Sequence, residues 1–270
     1  MKFALCAAGL AAIVASSATA GLQPGDSVTL SRVTTSPQRF VTVNFDYSRS
    51  SSASGVTGGS VGIAGLTVFD IIASEIDGTV DTVGGGSMSG FCVEYVESFI
   101  DDPITYDIVE VSQVPEESPP GMMSANQVTM MADLYSRYYD SSVDTMGNEW
   151  SSRQNSAAAF QLVVWEISHE NFASSDLSGM KAELNIGLGA FVVTDATNDD
   201  PTAANAVAEL ASNMIAGLGN GGWLAYDALV GATNGSSGSD DNQDFLFVVP
   251  SPAIAGLAGL GLVGMRRRRR

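Results

Sequence analysis

The chain is short of cysteine and of basic residues, and both shortages restrict what it can be. It has two cysteines, and because Cys6 lies in an N-terminal segment that we expect to be removed, Cys92 is left alone and an intramolecular disulfide is excluded. Half of the twelve Lys and Arg residues are Lys2 and the terminal residues 266–270, so six basic residues face thirty acidic ones in the remainder. Such a surface repels phosphate backbones, which argues against a nucleic acid partner and favours solubility outside the cell.

The N-terminal segment has the order of a secretory signal peptide. Lys2 precedes an apolar stretch at residues 3–14, and the small residues 18–20 form a typical signal peptidase cleavage site. We therefore predict that residues 1–20 are cut off by signal peptidase before Gly21 and that the mature chain is exported.

The C-terminal segment, residues 248–270, has three parts in a fixed order. The motif VPSP at residues 249–252 is followed by an apolar stretch at 253–265 and then by five arginines. Thirteen apolar residues are short for a full bilayer span, although residues 245–249 would lengthen the stretch. The arginines would hold the tail in the cytoplasm.

This order resembles the PEP-CTERM sorting signal of Gram-negative bacteria, which an exosortase recognises and removes. Ser251 stands where the motif that names the signal has glutamate. The resemblance implies a transient anchor in the inner membrane, followed by sorting to the cell surface or to an exopolysaccharide matrix. A plain tail anchor with a positive-inside flank is the alternative.

Residues 21–247 are predicted to form one α+β domain, with a β-rich N-terminal half packed with a smaller helical part. Strands followed by mixed helices and strands, with no internal repeat, are typical of this class. Ser124 is the predicted N-cap of the first helix, and Pro201 the first-turn residue of the last. Strands are predicted at 40–47, 65–76, 90–99, 106–111, 191–196 and 244–249, a loop at 48–60, and helices from 124 to 138, 152 to 168 and 201 to 216.

The middle helix carries a polar residue where burial is expected. Residues 157–165 are apolar on every face of the predicted helix except at Gln161, a pattern that is typical of a fully buried helix. A buried primary amide needs partners for two donors and an acceptor, and leaving them unmet costs roughly 1–3 kcal/mol. One solution is a set of hydrogen bonds to neighbouring backbone. The other is attack by a thiol on the side-chain carbonyl, which expels ammonia and leaves a Cys–Gln thioester.

The flanks of Cys92 and Gln161 resemble those of the thioester domains of bacterial surface adhesins, also called TQXA domains. Residues 91–94 (FCVE) match the cysteine signature of these domains, and residues 160–165 (FQLVVW) match the glutamine signature. Phe160 stands at the position of the threonine that the letter T in TQXA denotes. The resemblance implies that Cys92 and Gln161 form a cross-link, without cofactor or metal, that captures an amine of a protein or a polyamine. Reaction would occur once per molecule, so the protein would be a covalent binder and not a turnover enzyme.

Three other residues are candidates for a supporting role. His169, eight positions after Gln161, could move a proton, or it could complete the helix dipole and meet solvent. Trp165 lies one turn after Gln161 and could shield the bond or be a core residue. Glu94 is expected to face water in an alternating strand.

The sequence is also compatible with two other functions. Cys92 could be a hydrolase nucleophile with His169 as base and Asn171 or Glu170 as the orienting group, although the flanks of known cysteine proteases are absent. The chain could also be a non-reactive structural protein of the exopolysaccharide matrix. The acidic clusters at 194–201 and 239–244 offer oxygen ligands suited to calcium, but they lack EF-hand spacing and are predicted to be solvated turns, so no metal site is predicted.

Overall fold

A computed structural model describes residues 22–56, 59–76, 79–81, 86–95, 103–116, 119–139, 150–196, 201–234 and 242–249. The predicted signal peptide and nearly all of the sorting segment lie outside these ranges, as do residues 197–200 and 239–241 of the acidic clusters. Within the described ranges, no helix combines the length and apolarity that a bilayer crossing requires.

The described residues form eight strands and four α-helices, which confirms the α+β class. The strands are β1 (Ser27–Phe45), β2 (Ser60–Ile76), β3 (Thr79–Asp81), β4 (Ser87–Cys92), β5 (Ile104–Val109), β6 (Phe191–Asp195), β7 (Leu229–Thr233) and β8 (Phe245–Val248). The helices are α1 (Ala125–Tyr138), α2 (Trp150–His169), α3 (Leu177–Glu183) and α4 (Pro201–Gly217), and a short 3-10 turn covers Val111–Gln113.

Six of the strands close into a ring of antiparallel pairs. The order runs β1, β2, β4, β8, β7, β5 and back to β1, while β3 extends from β2 and β6 from β1. Every strand of the ring therefore has hydrogen-bonded neighbours on both sides. The ring combines strands from both halves of the sequence, so the β-rich first half does not form a separate layer.

The longest strand, β1, bends around the ring at three irregularities. Its register with β2 shifts between Thr29 and Leu30, between Arg32 and Thr34, and between Thr35 and Gln38. The last shift contains Pro37, which has no N–H to give to a ladder and is tolerated in a strand at such a bulge. The alternation rule predicted the second half of β1 and missed this irregular first half.

Helix α1 begins where the sequence predicted. The Ser124 hydroxyl accepts a hydrogen bond from the Gln127 backbone N–H at 3.3 Å, and the Gln127 side chain accepts one from the Ser124 N–H at 3.0 Å. This reciprocal pair is a capping box. The Gln127 amide also donates to the Ile167 carbonyl at 2.8 Å, which ties the start of α1 to the end of α2.

Helix α2 is the buried helix that the sequence predicted. Residues 157–165 are each at most 1% exposed, and the helix packs against β1, β2 and α4. A large apolar side chain that becomes fully buried contributes about 1.5–3 kcal/mol, so Leu162, Val163 and Val164 together hold the helix firmly in the core.

Several predicted boundaries were wrong for identifiable reasons. Strand β4 stops at Cys92, earlier than the predicted run, and Val111 begins the 3-10 turn instead of ending a strand. Residues 245–249, which could have lengthened the membrane segment, belong to the sheet and its core. Three short elements, β3, α3 and β7, were not predicted, and β7 has Gly231 at its centre, which weakens a strand pattern.

Gly90 fits a space that admits no side chain. A Cβ at this position would lie 2.5 Å from the Leu246 carbonyl oxygen and 2.7 Å from the Phe247 ring. We expect Gly90→Ala to push β8 away from β4 and to lower the free energy of unfolding by about 1–3 kcal/mol, measured by thermal or chemical denaturation. Gly187→Ala is the matched control, because its Cβ would meet only the Asn185 side-chain oxygen at 3.4 Å. Equal stability of the two variants would contradict this reading of the packing.

Candidate functional site

The structure brings Cys92 and Gln161 into contact. Cys92 is the last residue of β4, opposite Phe245 of β8, and Gln161 lies near the middle of α2. The Cys92 thiol donates to the Gln161 side-chain oxygen at 3.7 Å, and the Gln161 amide nitrogen donates to the Cys92 carbonyl at 2.7 Å. Cys92 is 6% exposed and Gln161 fully buried. The two residues are therefore held against each other away from water.

The contact places the sulfur within reach of the carbon that it would attack. The side-chain carbon of Gln161 is one C=O bond, about 1.2 Å, from the oxygen, so the sulfur is at most about 5 Å from that carbon. A near-attack geometry needs about 3–3.5 Å, a difference that side-chain rotation can supply. The same contact is also a satisfied pair of hydrogen bonds, so the amide meets a backbone partner without any reaction.

The environment keeps the Cys92 sulfur protonated. The pKa of this thiol is raised to about 12, chiefly by burial; the Trp165 indole N–H acts to lower it, and the charge of Glu94 acts to raise it. A thiol with this pKa is almost entirely neutral at pH 7. Catalytic cysteines have a pKa well below the usual value, so the site is unlike that of a cysteine hydrolase.

Aromatic side chains pack next to the pair in the sequence. The residues that precede Cys92 and Gln161, Phe91 and Phe160, contact each other with ring centroids 4.7 Å apart, and Tyr135 meets Phe160 edge-on at 5.0 Å. Phe160 therefore packs against two buried aromatic rings. The low exposure of Cys92 and Gln161 themselves keeps water away from the sulfur and the carboxamide.

Glu94 does not face water, so that prediction was wrong. It is 2% exposed, and its carboxylate accepts a hydrogen bond from the Asp244 N–H at 2.9 Å. Val93 in turn donates its N–H to the Asp244 carbonyl at 2.9 Å. Because β4 ends at Cys92, the alternation no longer applies at Glu94, and the side chain instead fixes the chain just after the cysteine.

His169 is buried as well, and the expectation that it meets solvent was wrong. Helix α2 continues to His169, which places it about 12 Å along the axis from Gln161. Its Nδ1 atom lies 2.8 Å from the Ser168 hydroxyl, and its ring contacts Phe45 at 4.9 Å. Burial lowers the pKa of His169 to about 3. The structure therefore does not place this ring beside the Cys92–Gln161 pair.

The residues of the hydrolase alternative are not assembled. The Asn171 amide donates to the Tyr47 and Arg49 carbonyls at 3.1 and 3.2 Å, and the Glu170 carboxylate accepts from the Ala190 N–H at 3.1 Å. The Asn171 amide and the Glu170 carboxylate, which were expected to orient His169, are therefore bound to other backbone groups.

The described part of the second acidic cluster is not a solvated turn. Asn242 and Asp244 are 4% and 2% exposed, and the Asp244 carboxylate accepts from the Glu116 N–H at 2.8 Å. Among the described residues, no group of His, Cys, Asp or Glu is arranged to hold a metal ion.

Tyr135 is a site residue that the sequence did not single out. It lies in α1 and is fully buried, with a hydroxyl that has no hydrogen-bond partner among the described residues. This hydroxyl is within electrostatic reach of Cys92. A tyrosine on a buried helix face carries a polar atom that the core must accommodate, and that is the signal that could have identified it.

We expect His169 to make the fold sensitive to acid. The pKa of His169 is about 3 in the folded chain and near 6.5 when it is unfolded, so the unfolded chain binds an extra proton between these pH values. The free energy of unfolding should therefore fall by about 1 kcal/mol per pH unit as the pH is lowered from 6 to 4. His169→Phe should lack this contribution, measured by denaturant titration at each pH.

The comparison of the two proteins isolates His169, since it is the single histidine of the sequence. Carboxyl groups titrate in the same range, and the pKa of Glu170, raised to about 7 by burial, acts in the opposite direction. Both effects are common to the two proteins and cancel in the difference. Identical pH slopes would show that His169 is not held neutral by the fold.

No family model, curated protein or solved structure matches the chain, so the interpretation of the site rests on its residues and their geometry.

Proposed function

We propose that this chain is a secreted cell-surface protein in which Cys92 and Gln161 form an internal thioester that captures amines. Capture would attach the protein covalently to a surface or matrix target. The observation that carries the proposal is the buried contact between the Cys92 sulfur and the Gln161 side-chain oxygen at 3.7 Å, in a chain whose other cysteine lies in the predicted signal peptide.

Formation of the bond needs no reagent from outside. The Cys92 sulfur attacks the side-chain carbon of Gln161, the C–N bond breaks, and the thiol proton leaves with the amide nitrogen as ammonia. Because the pKa of the thiol is about 12, the thiolate is scarce, and the reaction depends on the permanence of the contact. Groups that are held in a near-attack geometry react with effective molarities that reach about 10⁵–10⁸ M, and the buried contact keeps the two groups close to that geometry.

Capture reverses the roles of sulfur and nitrogen. A primary amine of the target attacks the thioester carbon, the C–S bond breaks, and the sulfur takes up the proton that the amine loses. The target is then joined to Gln161 through an amide, which is much less reactive than the thioester. The site is used once, which makes the protein a single-turnover covalent binder.

The chemistry of the chain favours cationic partners. Its formal net charge is −18 at pH 7, so protonated amines such as lysine side chains and polyamines are attracted to its surface. The terminal segments support export by signal peptidase, a transient anchor in the inner membrane and release by an exosortase at the surface or matrix of a Gram-negative bacterium.

A non-reactive structural matrix protein is the second candidate. It is favoured by the 2.7 Å hydrogen bond from the Gln161 amide to the Cys92 carbonyl, because this bond satisfies the buried amide without chemistry. A chain with the thioester has lost one molecule of ammonia, and a non-reactive chain has not, so the two candidates differ in mass.

We expect the exported chain, after its terminal segments have been removed, to weigh less than the remaining sequence by the mass of one ammonia. Methylamine should then add its own mass, and iodoacetamide should alkylate Cys92 only after methylamine has opened the bond. Intact-mass spectrometry of the native protein measures all three steps.

Cys92→Ser and Gln161→Glu are the matched controls, and each should show its full sequence mass and no methylamine adduct. A wild-type chain of full sequence mass that also takes up no methylamine would refute the thioester and leave the structural matrix protein.

A further inference from the structure

Trp165 carries a buried donor without a standard hydrogen-bond partner in the described part of the chain. Its side chain is 1% exposed, and its indole N–H has no hydrogen-bond partner among the described residues. An unmet buried donor costs roughly 1–3 kcal/mol, so such a group in a packed core calls for a reason.

The position of Trp165 is fixed on the same side of α2 as Gln161. The two residues are four apart in the helix, so their side chains are neighbours on one face. The indole ring meets the Tyr95 ring edge-on, with centroids 5.3 Å apart, and the Phe191 ring at 6.1 Å. Packing on two sides therefore restricts how the indole can turn.

Tyr95 is itself held in place. Its hydroxyl donates to the Ser60 carbonyl at 2.7 Å, and its ring lies so close to Gly62 that a Cβ there would be 2.7 Å from a ring carbon. The Tyr95 ring, which contacts Trp165, is therefore held against the backbone of β2.

The Cys92 sulfur is the polar atom that the indole N–H affects. The indole N–H acts to lower the pKa of the Cys92 thiol, so it favours the negative form of the sulfur, although it makes no hydrogen bond of standard geometry among the described residues. A neutral thiol is a weak acceptor, and a thiolate is a strong one. The donor is therefore suited to a charge that is absent in the resting site and develops during reaction.

We propose that the Trp165 indole N–H stabilises the Cys92 sulfur as it leaves during amine capture. The proposal rests on the thioester function proposed above. The amine nitrogen attacks the Gln161 carbon, the C–S bond breaks with its electron pair on the sulfur, and the indole donates to this sulfur. The proton lost by the amine then converts the thiolate to the thiol.

The test is Trp165→Phe, which keeps an aromatic ring and removes the N–H. Removal of one donor to a developing oxyanion lowers rates by about 10²–10³-fold, and because sulfur spreads its charge more widely, we expect capture of methylamine to slow by about tenfold or more. The rate is followed by intact mass on the fraction of chain that has formed the thioester. Trp223→Phe, in a half-buried tryptophan outside this contact, is the matched control and should react at the wild-type rate.

A second measurement distinguishes a role of Trp165 as a hydrogen-bond donor from a role in packing alone. After methylamine has opened the bond, the freed Cys92 should react with iodoacetamide more slowly in Trp165→Phe, because its thiolate fraction is lower. Loosened packing would instead admit the reagent and raise the rate. An analogue of tryptophan with ring sulfur in place of the N–H, incorporated at position 165, keeps the shape and should give the same slowing even if the phenylalanine variant folds poorly.

The outcomes are distinguishable from failure of the thioester itself. A wild-type chain that has lost no ammonia and takes up no methylamine refutes both proposals. A wild-type chain that captures methylamine, with either replacement at Trp165 reacting at the same rate or faster, refutes the role of Trp165 alone.

Discussion

A thiol and a carboxamide that satisfy each other inside the core are the interaction on which this structure depends. Neither group has water as an alternative partner, so the contact between Cys92 and Gln161 has to be maintained by the elements that carry them. The same burial that makes the contact necessary also holds the thiol neutral and excludes water from the carbonyl. In the proposed function, protection and reactivity would therefore have one physical origin.

Regular elements, and not loops, position both groups. Strand β4 is paired with β2 on one side and β8 on the other, and the buried Glu94 carboxylate fixes the chain just beyond Cys92. Helix α2 is surrounded by sheet and helix over the stretch that contains Gln161. Sites built on such elements keep their geometry better than sites built on mobile loops, which suits a reaction that depends on sustained contact.

The sequence predicted the features that are local and missed those that depend on distant pairing. A capping box and an uninterrupted apolar helix are local signals, and the pairing of Cys92 with Gln161 was predicted from the resemblance of their flanking residues to those of thioester domains. Closure of the strand ring is set by register between segments far apart, which no window of sequence reveals. Glu94 and His169 were expected to meet solvent because their neighbours were read as an alternating strand and a helix end, and tertiary packing covered both.

The place of Gln161 along its helix decides where mechanical tension would enter the molecule. A target joined to this side chain would pull near the middle of α2, whose neighbours grip it along its length. The bond between Cys92 and Gln161 would not carry this force, since it is the bond that breaks on capture. Traction on the tether would thus be spread through the interior of the domain and would not peel a strand from its edge.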